Sequence, residues 1–232
     1  LDSDEKFSVT GFIRLMRNRI GWIALFILLN ALPVTPAEAD DDRQFWNTLV
    51  LHHALNKKFE SHLAMHSREL DDISTLGVYY AAPGFLYTLT EHLAFGLNYK
   101  FQRLKAKLVW TNEHRIEIQP IVKWNWDRLK FSLRNRLEYR NVEGVVEWRL
   151  RERFRFKHAM NWGGFKFAPF ISDEFFYSFK TGGLSQNRFM VGAAKDITRQ
   201  FGLDIYYMYK SNNRRGDWFG ENVIGTDFSL RF

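Results

Sequence analysis

The sequence predicts an all-β fold, specifically an antiparallel up-and-down transmembrane β-barrel of ten or twelve strands with a polar, arginine-rich lumen. Three observations predict it. The first is WRLRERFRFK, residues 148–157, where Arg149, Arg151, Arg153, Arg155 and Lys157 alternate with Trp148, Leu150, Phe154 and Phe156. On a helix, residues two apart sit about 200° apart and no apolar face would form, whereas on a strand they share a face. The second is a succession of such segments, each longer than a typical globular strand and long enough to cross a bilayer at a tilt. The third is the ending GTDFSLRF, where Ile224, Thr226, Phe228, Leu230 and Phe232 alternate up to a terminal aromatic.

Bulk composition agrees. Hydrophobic residues make up 46% of 232 residues and aromatics 17%, with 22 Phe, yet 25% are charged. Interleaving of this kind suits a two-faced strand and is foreign to a soluble core. The chain has no cysteine, which excludes disulfides, zinc–thiolate sites and cysteine nucleophiles.

The elements follow in order. Arg17 and Arg19 precede the apolar run IGWIALFILLNAL (20–32), and PVTPAEA then places Ala37 and Ala39 at the small positions of a cleavage site. This predicts a cleaved signal peptide over 16–39, with residues 1–15 a non-native upstream extension ahead of Met16. The barrel is expected over 40–232. After the acidic lead Asp40–Asp42, strand-like segments run over 43–55, 58–69, 75–89 and 93–103. On 113–124 the polar face is Glu113, Arg115, Glu117, Gln119 and Lys123. On 128–141 it is Ser132, Arg134, Arg136, Glu138 and Arg140, while Phe131, Leu133, Leu137 and Tyr139 oppose it and give an apolar band about 20–25 Å tall. On 145–160 it is Glu147, Arg149, Arg151, Arg153, Arg155 and Lys157. Segments 164–179, 186–197, 200–211 and 221–232 complete the wall.

That makes eleven segments, an odd number. With both ends of the chain on one side the count must be even, hence ten or twelve. Short connections at 56–58, 90–92, 125–127, 161–164 and 198–200 alternate with longer ones near 70–74, 103–112, 180–187 and 211–222, the pattern of periplasmic turns and outer loops. The segment 211–222, with Arg214, Arg215, Asp217 and Trp218, reads as an exposed loop. Trp124, Trp126 and Trp162 at one level, and Tyr139 and Trp148 at the other, read as interfacial belts. Glu152 falls on the lipid face, so a bulge or a position near the interface is expected there, and Pro120 and Pro169 fall inside strands, where bulges are expected.

The stretches LYTLTEHLAFGLNYKF (86–101), EHRIEIQP (113–120), LRNRLEYR (133–140), RLRERFRF (149–156), SDEFFYSF (172–179), NRFMVGAAKDIT (187–198) and the terminal DFSLRF resemble the bacterial outer-membrane proteins grouped as domain of unknown function 2490. The resemblance covers 58–232. It implies a barrel in the outer membrane of a Gram-negative bacterium, and it brings no activity and no catalytic residues.

Function is read from the lumen. Arg134, Arg136, Arg140, Arg149, Arg151, Arg153, Arg155 and Lys157 form a basic stripe, with Glu117, Glu138 and Glu147 as its principal acids. Glu113 and Glu174 are further nearby acids, and Glu60 is a longer-range one. The stripe makes either a small anion-selective channel, for small anions or acidic oligosaccharides, or a closed structural or binding barrel whose arginines are satisfied by glutamates. A lipid-modifying enzyme has less to stand on. His66 and Ser67 are adjacent and point to opposite faces, and His62 and His66 share a face with no third metal ligand. No catalytic residue, metal or cofactor is assigned. Expected partners are outer-membrane lipids and the barrel-assembly machinery, the latter reading Phe228, Leu230 and Phe232. The chain is expected to be a monomer that binds no nucleic acid.

Overall fold

The structure is a computed structural model that describes residues 43–106 and 109–232. The expected signal peptide (16–39), the upstream extension (1–15) and the acidic lead lie outside the described residues.

Among the described residues, every regular element is a strand. β1 (Arg43–Ala54), β2 (Phe59–Leu70), β3 (Thr75–Thr88) and β4 (Leu93–Ala106) are followed by β5 (Val109–Trp126) and β6 (Leu129–Val142). β7 (Val145–His158), β8 (Met160–Trp162), β9 (Phe165–Ser178), β10 (Gly183–Asp196), β11 (Phe201–Arg214) and β12 (Asp217–Arg231) complete the chain. Apart from β7 and β8, each strand pairs with its sequence neighbour, and β12 pairs back onto β1, so the sheet closes on itself. β7 and β8 both pair with β9 and occupy one place in the wall, which makes eleven wall strands.

Eleven replaces the expected ten or twelve. Strands joined by hairpins alternate in direction, so an odd number forces the closing pair to be parallel. β1 and β12 run parallel from Arg43↔Asn222 to His52↔Arg231, and every other pair is antiparallel. The start of β1 and the end of β12 therefore lie at opposite mouths. The first mouth, where β1 begins, carries the turns after β2, β4, β6, β9 and β11. The second carries those after β1, β3, β5, β8 and β10.

The expected long loops are mostly strand. Segment 211–222 is a hairpin in which Arg214 pairs with Asp217 around Arg215 and Gly216. Residues 103–106 extend β4 and residues 109–112 extend β5, with Ala106 opposite Val109. Three hairpins share one device, an Asn side chain that accepts from the amide of a glycine three residues on: Asn141 from Gly144 (2.8 Å), Asn161 from Gly164 (3.1 Å) and Asn213 from Gly216 (2.9 Å). Residues with positive φ, such as Arg215 (59°) and Gly216 (103°), give the turn twist that matches the strands. Loop length does not distinguish the two mouths.

The prolines do not produce bulges. The register is unbroken across Pro120 and Pro169. Lacking an N–H, each only opens the ladder locally. The β5–β6 pairing skips Pro120, and β7 breaks from β8 at Ala159 beside Pro169. Register shifts occur instead at Arg68/Glu69 and at Leu184/Gln186. Glu152 also sits in continuous register, between Asn135 and Phe175 on the outer face.

The two faces sort as the alternation demands. Phe95, Leu97, Ile116, Ile118, Leu150, Ile205 and Ile224 are exposed on the outside, while Glu113, Glu117 and Glu138 are buried within. This is the reverse of a soluble barrel. Outer aromatic pairs mark two levels. Tyr79–Trp110 and Tyr139–Trp148 lie toward the first mouth, and Trp124–Phe131 and Phe165–Phe167 toward the second.

Candidate functional site

The lumen is filled by two unlike halves. Along β1 and β9–β12 it holds an apolar cluster, with Trp46, Phe170, Ala194, Tyr206, Met208 and Val223 packed together. Along β4–β7 it is ionic. Cation–π contacts join the halves. Phe176 lies under Arg149, Arg151 and Arg188 at 4.9, 4.8 and 4.6 Å, and Trp46 lies between Arg68 at 4.0 Å and Arg188 at 4.9 Å.

The ionic half begins with a conflict. Alternation on β5, β6 and β7 puts like charges opposite one another: Arg115 faces Arg140, Glu117 faces Glu138, Arg136 faces Arg151, and Arg134 faces Arg153. Such pairs repel if they meet directly. The side chains instead reach along and across the lumen. Arg115 lies 2.6 Å from Glu113, 3.5 Å from Glu117 and 3.4 Å from Glu138. Arg136 reaches Glu117 at 2.9 Å and Gln119 at 2.8 Å. Arg140 bonds Glu113 at 2.7 Å and also Glu147. Arg149 bonds Glu138 at 2.7 Å. Lys100 lies 3.2 Å from Glu117.

Glu174, which projects inward from β9, draws in three more cations. Arg151 donates to it at 2.7 Å and Arg134 at 3.0 Å, and Arg188 stands at 3.7 Å. Among the described residues, five carboxylates (Glu113, Glu117, Glu138, Glu147, Glu174) thus hold eight cations in one network. A smaller group beyond it joins Arg155 and Lys157 to Asp204, at 2.7 and 3.5 Å. Charges this deep survive only when paired and hydrogen-bonded.

All eight expected stripe residues face the lumen. The structure brings five, Arg134, Arg136, Arg140, Arg149 and Arg151, into the main network and puts Arg155 and Lys157 on Asp204. It leaves Arg153 without a carboxylate within ion-pair distance among the described residues, and its Nε is buried without an acceptor. Sequence reasoning missed Lys100, Asn98 and Gln102 on β4, Arg188 on β10 and Asp204 on β11. The alternation NYKFQ (98–102) carried the signal for the β4 residues. Nothing local could have joined Asp204 to Arg155. Glu60, expected as a distant balancing acid, bonds His52 at 2.7 Å.

His62 and His66 are part of the polar lining. His62 bonds Asn98 at 2.9 Å; His66 bonds Thr48 at 3.0 Å and accepts from Arg68 Nε at 2.9 Å. Phe228 and Leu230 lie on the outer face of β12 beside Leu49 and Leu51 of β1, and Phe232 is exposed at the second mouth.

A family model described as "Protein of unknown function (DUF2490)" matches residues 43–221. No curated protein matches the chain. One solved structure, "Bacterial polysaccharide outer membrane secretin", is similar at a TM-score of 0.49 and 12% identity. That match covers 77% of this chain and 66% of the other, so this chain spans just under two thirds of that protein's length.

Proposed function

The chain belongs to the DUF2490 family of proteins of unknown function, and we propose that it is a non-enzymatic outer-membrane barrel, closed at mid-height, that works by binding at a mouth. The apolar outer face between two aromatic levels supports placement in a bilayer, because a barrel satisfies all its backbone bonds and can meet lipid without an edge. Export through a cleaved leader and insertion by the barrel-assembly machinery belong to this reading, as does a monomeric state.

One observation carries the closed state. Glu113, Glu117 and Glu138 are 0%, 1% and 0% exposed, and Arg115 and Arg136, which pair with them, are 4% and 7% exposed. Charged side chains that line a water-filled pore are wet; these are packed against one another.

The test is current through the refolded chain in a planar bilayer under a salt gradient. The closed reading expects no steady conductance from protein whose gel mobility shows a folded barrel. A second reading, an anion-selective channel, is favoured by the excess of cations over carboxylates in the network and by Arg153. A steady conductance with a reversal potential favouring chloride would establish that reading and end the first. Partitioning of the mature protein into outer-membrane fractions tests the location.

A further inference from the structure

We propose that the first mouth holds a site for a small organic anion, whose acid group bonds the Arg68 guanidinium while an apolar body lies against Leu70, Val78, Leu104 and Phe219. The proposal goes beyond the closed-barrel reading and does not depend on whether the lumen conducts.

A cavity of about 360 Å³ opens there, lined by those residues together with Gln44, Asp71, Lys105, Lys210, Arg214 and Glu221. Its size and its mixture of apolar walls with a few convergent charges are those of small-molecule sites. Four cations line it against two carboxylates. Glu221 is already engaged. It pairs with Lys210 and accepts from Gln44 at 2.8 Å and from Asn212 at 2.9 Å.

Arg68 is different. Its Nε donates to His66 at 2.9 Å and its guanidinium stacks on Trp46 at 4.0 Å, which fixes its plane. No carboxylate lies within ion-pair distance of it, and its two Nη groups have no acceptor, among the described residues. A half-buried guanidinium held rigid by one edge, with its fork free beside an apolar cavity, is built to receive a carboxylate or phosphate in a bidentate manner.

The experiment is calorimetric titration of phenyl phosphate into the full chain, refolded in lauryldimethylamine oxide micelles at fixed ionic strength. One saturable site is expected. Arg68→Gln should weaken binding by about tenfold or more, since a charge-assisted bidentate contact is lost. Leu104→Trp, which fills the cavity and leaves every charge in place, should weaken it as well and decides the matter if Arg68→Gln fails to fold. Arg155→Gln, elsewhere in the lumen, should leave it unchanged. Absence of saturable binding, or equal binding by the native chain and folded Arg68→Gln, overturns the proposal, and so does an equal loss in Arg155→Gln. Competition separates two sources of the acid group. Displacement by inorganic phosphate assigns a soluble ligand, displacement only by dihexanoyl phosphatidic acid assigns a lipid headgroup, and displacement by neither overturns the site.

Discussion

Glu138 and Arg149 face each other across the β6–β7 ladder, and the guanidinium donates to the carboxylate at 2.7 Å. This is a directly opposed ion pair in a stretch where Arg136–Arg151 and Arg134–Arg153 oppose like charges. Glu138 is fully buried and also lies 3.4 Å from Arg115 and 3.7 Å from Arg151. It is a keystone of the network.

Removing that carboxylate should therefore cost more than one contact. Glu138→Ala leaves the guanidiniums of Arg149 and Arg115 short of a counter-charge in a dry lumen, a loss of about 3–5 kcal/mol. The midpoint of denaturant unfolding, followed by heat-modifiable gel mobility, should fall accordingly. Arg155→Gln, which loses the pair with Asp204 and the stacking on Phe170 but leaves the main network whole, should move it less.

If the network closes the barrel, thinning it should open the barrel. Glu117→Ala with Arg136→Ala removes an ion pair of 2.9 Å from mid-lumen and leaves Lys100, Arg115 and Arg151 in excess. The double variant should show a chloride-favouring conductance that the native chain lacks. No change in current would mean that the apolar half of the lumen is sufficient to seal it.

Glu152 is an outward, half-buried carboxylate in unbroken register between Asn135 and Phe175. A charge on the lipid face is costly. Glu152→Leu should raise unfolding stability by about 1 kcal/mol in lipid vesicles, while the same change at inward Glu174 should lower it. A destabilised Glu152→Leu barrel would show that the carboxylate has a partner on that surface.

Gly84 of β3 has no room for a side chain. A Cβ there would lie 2.1 Å from Asn98 Oδ1, 2.7 Å from His62 Nε2 and 2.9 Å from the Leu97 carbonyl. Gly84→Ala should break the His62–Asn98 bond and destabilise the barrel by about 1–3 kcal/mol. Gly144→Ala puts its Cβ in open space but at a φ of +85°, so its smaller cost is conformational. Unfolding midpoints of the two variants, compared side by side, check the order.

The local sequence carries the strand character, the side each residue faces and the barrel class, because a period of two is a local property of the backbone. RLRERFRF placed its arginines inside and its phenylalanines outside before any partner was known. It could not determine the strand count, because parity rests on how β1 and β12 meet. That parallel pairing joins residues nearly two hundred positions apart and leaves no local mark. Nor could it determine whether the arginines were free or satisfied. Cross-strand neighbours predict repulsion between Arg134 and Arg153, but closure brings Glu174 of β9 within 3.0 Å of Arg134. Long charged side chains choose partners across a closed lumen, and only the closed geometry says which carboxylates are within reach.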